Sequence, residues 1–263
     1  MEGAGVIIPV YGKIETALER IRHIRGTPPG GGYEIVAVDN ASTHDTRRAI
    51  AAPGGIVYAG NDENPGAAAA LNADAGAAKS AAPVFMHNDV FAEKEGRVDE
   101  YGRFLAGRHD AGVVDLHGAG TQRRDASFRG RSIVRYKNGS PAMRRRTAGA
   151  TGVAVVDGLP TDVRRETFDA VGGFNEEFPI HRRHRDFPMR AAAAGLKNRV
   201  PYIPFKHPCA VTRRDAAGRD DARERNRPRF MALWGKRPPC DVSGVGWTGY
   251  PGRLSGQAHN GAG

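Results

Sequence analysis

The stretch "YEIVAVDNASTHDT", Tyr33 to Thr46, runs from an apolar segment into Asp39 and Asn40, and then into a run that opens like a capped helix. A short apolar run of this kind reads as a strand buried on both faces. Ser, Thr and Asp directly after it supply side-chain acceptors for the free amides of a first helical turn. Strand, acidic strand end and helix in succession are the unit of a parallel α/β layer, and the same rhythm recurs on either side.

Before it, "AGVIIPVYG" reads as a short strand with Pro9 near its end. Ile14, Ala17, Leu18, Ile21 and Ile24 then share one helical face, and "TPPGGG" stops that helix. After it, "GGIVYAG" gives a third strand, "NPGAAAALNADAGAAKSA" an Ala-rich helix opened by Pro65 and Gly66, and "APVFMHNDV" a fourth strand. Alternation of this kind implies a mostly parallel sheet with flanking helices. Ligands of such sheets sit beyond the carboxyl ends of the strands. Asp39 and Asp89 both fall there, which makes "VFMHNDV" more than a surface turn.

Beyond residue 90 the pattern weakens. "AGVVDLHG" reads as a further strand, and residues 119–150 as a long basic loop with little periodicity. "ATGVAVVDGLPTDVRRETFDAVGGF" returns to strand and helix, and "DFPMRAAAAGLKNRVPYIPFKH" to helix and strand, ending at His207. Residues 238–263 are rich in Gly and Pro and read as a loose tail. The expected division is 1–91 for one half, 92–237 for the other, and 238–263 for the tail.

Lys and Arg number 39 against 29 Asp and Glu, a net charge of +10, and the excess is clustered. Between Gln122 and Arg146 stand Arg123, Arg124, Arg129, Arg131, Arg135, Lys137, Arg144, Arg145 and Arg146, opposed only by Asp125. Such a run suits a polyanionic partner or a solvated loop. Cys209 and Cys240 form neither a disulfide framework nor a metal-ligand pattern. No apolar run is long enough to span a bilayer. The start, "MEGAGVIIPVYGK", lacks the basic region and long apolar core of a leader, so a reducing cytoplasm, of a bacterium or a phage-infected host, is the expected setting.

Five segments in order resemble the family-2 glycosyltransferases of the GT-A fold: "VIIPVYG", "EIVAVDNASTHDT", "ENPGAAAALNADAGAA", "MHNDV" and "GGFNEEF". "RFMALWGKRP" is similar to a Trp-containing C-terminal segment of many members. The resemblance implies a Rossmann-like α/β fold with a nucleotide-sugar-binding first half and an acceptor-binding second half. It implies transfer, with inversion, from a nucleoside-diphosphate sugar, a UDP-sugar being favoured, with Mn²⁺ or Mg²⁺ bound. Donor contacts then fall to Pro9, Tyr11, Asp39, Asn40, Asn64, Gly66, Asn72 and Asn88. Metal ligation falls to Asp89, with His87 and His207 as further candidates. Each of these histidines reads equally well as a packed residue near a strand end.

The family's "EDxDLxxR" motif is altered to "IHRRHRDFPMR". Counting back from Arg190, Asp186 takes the last Asp and His184 the place of the usual base. Either is chemically acceptable as the catalytic base, and the carboxylate is preferred here as the family's ordinary choice. Arg144, Arg145, Arg146 and Asp162 are assigned to the acceptor. On charge, that acceptor is a hydroxymethylated base of DNA, flipped out to reach the site. A cell-surface or lipid-linked glycan is the alternative, and a non-catalytic nucleic-acid-binding module on the same scaffold is the reading from another class.

Overall fold

The computed structural model describes residues 3–12, 14–42, 44–87, 90–92, 95–119, 121–122, 128–129, 134–137, 140–143, 150–156, 158, 160–178, 182–201, 203, 205–206, 219–235 and 240–241. In chain order the elements are β1 (Ala4–Val10), α1 (Ile14–Gly26), β2 (Tyr33–Asn40), α2 (His44–Ala51), β3 (Val57–Asn61), α3 (Ala67–Ala77) and β4 (Ala82–Phe85). Next come β5 (Phe91–Ala92), α4 (Arg97–Ala106), β6 (Ala111–Val114), β7 (Gly118–Ala119), β8 (Thr121–Gln122), β9 (Phe128–Arg129), β10 (Val134–Lys137), β11 (Ser140–Met143) and β12 (Ala150–Gly152). The last are β13 (Val155–Val156), β14 (Thr161–Val163), α5 (Arg165–Val171), α6 (Arg183–Ala193), β15 (Lys197–Pro201), β16 (Phe205–Lys206), α7 (Arg219–Trp234) and β17 (Cys240–Asp241).

One eight-stranded sheet, in the order β12-β15-β6-β14-β4-β1-β2-β3, runs through both halves of the chain. β1 pairs in parallel with β2 and with β4, and β2 in parallel with β3. Val6, Ile7 and Ile8 of β1 and Val36, Ala37 and Val38 of β2 are fully buried, as strands covered on both faces must be. The chain winds outward from β1 to β3 and then crosses back to place β4 on the other side of β1. That reversal makes a topological switch point, so the crevice beyond the carboxyl ends of β1 and β4 is where this topology places a ligand. β14 enters antiparallel between β4 and β6, while β15 and β6 are parallel.

The helices follow their apolar faces, with two departures from expectation. In α1, Ala17, Ile21 and Ile24 are buried as expected, but Arg20 is buried with them, its guanidinium 4.1 Å from the Phe91 ring centroid. α4 was not expected. It buries Val98, Tyr101 and Leu105, whose spacing of three and four is a legible helical face. The segment 119–150, expected to be a loop, carries β8 to β11. β10 and β11 form an antiparallel hairpin from Val134↔Met143 to Lys137↔Ser140. The expected tail also contributes β17, which pairs with β8.

Two packed clusters fix the second half. Phe85 at the end of β4, Phe168 in α5, Phe174 and Phe187 in α6 form a contiguous aromatic group, with ring centroids 5.0 Å apart for Phe85–Phe174 and 5.2 Å for Phe174–Phe187. Each such pair adds about 0.5–1.5 kcal/mol beyond its buried area. A separate cluster of Ala154, Val155, Phe178, Met189, Phe230 and Trp234 seats α7 on α6.

Candidate active site

Asp39 is the hub of the first half. It is the next-to-last residue of β2, paired with Val10, the last residue of β1, and is 4% exposed. Ala41, two residues on, takes a left-handed conformation (φ 58°) and turns the chain back over the carboxylate. Asp39 Oδ1 accepts the Ser42 amide at 2.9 Å, and Oδ2 accepts the Tyr58 hydroxyl at 2.7 Å. The Ser42 hydroxyl in turn accepts the Gly12 amide at 3.1 Å, so the loops after β1 and β2 are tied together. Asn40 Oδ1 accepts Asn61 Nδ2 at 3.0 Å. Burial, reinforced by the Asp39 carboxylate, pushes the Tyr58 hydroxyl up to about 12, so it remains a donor to Asp39.

Around this hub lie other expected donor residues. Pro9 sits within β1 opposite Val38, and Tyr11 is 66% exposed just past its end. A flat exposed ring beside a buried carboxylate suits a nucleobase, which offers a face to stack and polar edges to bond. Asn64 Oδ1 accepts the Gly66 amide at 2.9 Å, and Gly66, at φ 87°, opens α3 in a conformation that favours glycine.

β4 delivers His87 to the same end of the sheet. The Met86 amide donates to the Ile7 carbonyl at 2.9 Å, and the Val90 amide to the His87 carbonyl at 3.3 Å. The two residues between His87 and Val90 are Asn88 and Asp89, which lie outside the described residues, as do His207, Arg144, Arg145 and Arg146. Among the described residues no group of three His, Cys, Asp or Glu is placed to hold a metal ion. The carboxylate that the sequence supplies at Asp89 suits a hard divalent cation such as Mn²⁺ or Mg²⁺, and the imidazoles of His87 and His207 suit Mn²⁺ better than Mg²⁺.

His184 is half-buried in the first turn of α6. Gly158, at φ +78°, leaves it room, since a Cβ there would stand 2.9 Å from His184 Cβ.

Three residues have different surroundings from those expected. Asp186 is 1% exposed, and both its oxygens are engaged, Oδ2 by Arg190 Nε at 2.7 Å and Oδ1 by Trp234 Nε1 at 2.8 Å. Arg190 also donates to the carbonyls of Gly173, at 2.6 Å, and Val171. Asp186 thus brackets α6, α7 and the "GGFNEEF" segment. Asn72, expected at the donor, donates its amide to the Phe174 carbonyl at 2.8 Å and to Glu176 Oε1 at 3.0 Å, and its Oδ1 accepts the Phe174 amide at 2.8 Å. Asp162, expected at the acceptor, lies mid-strand in β14 opposite Val84, fully buried and facing away from the strand ends that carry Asp39 and His87.

Two residues at this end of the sheet escaped the sequence reading. Tyr58 carries no motif. Asp115 directly follows β6 in "VVDLHG", the same strand-end carboxylate signal that marks Asp39; it accepts the Thr161 hydroxyl at 2.5 Å and the His117 amide at 3.0 Å.

A search of curated proteins finds no match to this sequence. Among solved structures, GalNAc-T7 with UDP, GalNAc and Mn2+ is similar at a TM-score of 0.62 and 14% identity, over 79% of this chain and 44% of that one. The mannosyltransferase PcManGT from Pyrobaculum calidifontis, in complex with GDP-Man and Mn2+, gives a TM-score of 0.62 and 18% identity, over 90% of this chain and 66% of its own. S. aureus TarS 1-349 in complex with UDP gives 0.55 and 18%, over 78% and 60%. The chain spans between about two fifths and two thirds of these structures, which share its fold at low identity. The sequence profile of Glycosyl transferase family 2 matches residues 5–156, more than half of the 263 residues, and the chain belongs to that family.

Proposed function

We propose that the protein transfers a sugar from a nucleoside-diphosphate sugar to an acceptor hydroxyl, with inversion at the anomeric carbon. The observation that carries this reading is the Asp39 hub at the β1/β4 switch point, a buried carboxylate pinned by Ser42 and Tyr58 beside the exposed Tyr11 ring. The solved structures bound to UDP, or to GDP-Man with Mn2+, support a nucleotide-sugar donor and a divalent metal. Asp39 and Asn40 hold the nucleoside, Tyr11 stacks on its base, and Asn64 and Gly66 border the donor. Asp89, with His87 and His207, holds Mn²⁺ or Mg²⁺, which when bound neutralises charge on the departing diphosphate.

His184 is the base in this reading, because both oxygens of Asp186 are already engaged. The acceptor oxygen attacks the anomeric carbon as the bond from that carbon to the diphosphate oxygen breaks. The bonding pair leaves with the diphosphate, and the hydroxyl proton passes to the imidazole of His184. A single displacement of this kind inverts the configuration.

The acceptor is a polyanion, DNA carrying a hydroxymethylated base, on the strength of the net charge of +10 and the arginines between Gln122 and Arg146. The test is incubation with a panel of nucleotide sugars, Mn²⁺ and hydroxymethylated DNA, read by nucleoside mass spectrometry. A glycosylated nucleoside that disappears in chelator and in Asp89→Ala is the expected result. Sugar transfer to a glycan but never to DNA sinks the acceptor reading. No UDP or GDP binding by calorimetry sinks the transferase reading.

A further inference from the structure

A second cavity lies on the α4 face of the sheet, away from the donor crevice. It has a volume of about 540 Å³, with Ala4, Gly30, Gly31, Val84, Val98 and Gly102 in its walls. That is within the range of roughly 300–1,000 Å³ usual for small-molecule sites. Val84 pairs with Val6 of β1, and Val6 lies four residues before Val10, the neighbour of Asp39. The cavity is therefore set back from the donor crevice by roughly 13 Å along the strand.

Asp162 lines this cavity. Its side chain is fully buried, and neither carboxylate oxygen has a hydrogen-bond partner. Burial pushes this carboxyl up to about 7, while Arg164 and the Val163 amide pull the other way, the amide without reaching hydrogen-bond geometry. The Arg164 guanidinium donates to the carbonyls of Ala111 at 3.1 Å, Arg108 at 2.7 Å and Leu105, so it acts on Asp162 through its charge and gives it no hydrogen bond. Asp99 and Arg103 also border the cavity. Asp99 Oδ2 is taken by the Gly30 amide at 2.5 Å, and exposed Arg103 donates to its own helix at the Asp99 carbonyl. One buried acceptor among Gly, Ala and Val walls is left without a donor, and leaving it so is costly.

We propose that this cavity binds a small organic amine, its apolar body along Val84, Val98 and the glycine walls, and its ammonium head on Asp162, whose side chain, fully covered in the unliganded chain, turns out of the cavity floor to meet it. A divalent cation needs six or more oxygen ligands, which a single carboxylate among apolar walls does not supply. An anion would meet the Asp162 carboxylate. An alkylammonium supplies three donors to the carboxylate and an apolar body to the walls.

The test is a titration of the full chain with n-butylammonium chloride, followed by amide chemical shifts, with 1-butanol and sodium butyrate as controls. The expected result is saturable shifts of the Gly30, Gly31 and Val163 amides with butylammonium, at an affinity about tenfold or more above that of 1-butanol. Asp162→Asn is expected to remove that preference, and Asp162→Leu serves where the Asn variant folds poorly. Equal binding of butanol and butylammonium to the wild type overturns the proposal and leaves a water-filled cavity. So does butylammonium binding that persists unchanged in the Asp162 variants.

Discussion

Tyr58 shows how a residue without a motif becomes part of a site. Its hydroxyl occupies one oxygen of Asp39, so that carboxylate is held in one orientation at the carboxyl end of the sheet. Tyr58→Phe deletes one hydrogen bond to a charged group, worth about 1.5–3 kcal/mol. It is expected to weaken UDP binding by about tenfold or more while leaving the melting temperature within a few degrees; unchanged affinity in calorimetry would show that Asp39 needs no such support. At the proposed base, His184→Ala is expected to cost roughly 10²–10⁴-fold in turnover with donor affinity nearly unchanged. Near wild-type turnover in that variant would move the base elsewhere. Asp74 makes a different point. It replaces nothing catalytic, faces the core from α3, and burial pushes its carboxyl from 3.8 up to about 7. Because the folded pKa is the higher one, the stability it contributes is full below about pH 3.8 and is lost as pH rises through about 7. Asp74→Asn is therefore expected to raise Tm at pH 8 and to flatten the fall in Tm between pH 4 and pH 8. An unchanged pH profile in scanning calorimetry would refute the assignment.

At the scale of elements, α6 and α7 behave as one unit, because the Trp234 indole donates to a carboxylate that Arg190 also holds. Trp234→Phe keeps most of the apolar contact with Phe178 and Phe230 but strands one buried oxygen of Asp186, at a cost of about 1–3 kcal/mol. A lower urea midpoint with an unchanged slope is the expected outcome, and a midpoint equal to the wild type would show that the bracket is dispensable. Most of the first half is legible at this scale. Apolar runs and helical faces fall within a few residues of the observed bounds, since each element there satisfies its own period. α4 escapes although Val98, Tyr101 and Leu105 carry the period, because polar residues outnumber them in a short helix. The β10–β11 hairpin escapes although Asn138–Gly139, a strong hairpin dipeptide, joins its strands. The arginines around it favour a solvated loop on composition alone.

For the whole molecule, the net charge of +10 is a prediction about association rather than about fold. Replacing Arg144, Arg145 and Arg146 together with Ala is expected to flatten the salt dependence of DNA binding by about one unit of slope for each phosphate no longer neutralised. A wild type that binds DNA equally at low and high salt would reduce the run to a solvated loop. The alternating strands and helices of the first half, the Asp39 strand end and the order of the family segments were legible in the chain itself, because period and local turn chemistry act over a few residues, whereas the switch point needed the strand order. The fates of Asp186, Asn72 and Asp162 were decided only by tertiary structure. Trp234 is 48 residues from Asp186, and Phe174 is 102 from Asn72. Local spacing along a chain cannot say which distant donor will fill a carboxylate, and an antiparallel strand inserted beside β4 aims Asp162 into a cavity that no linear pattern marks.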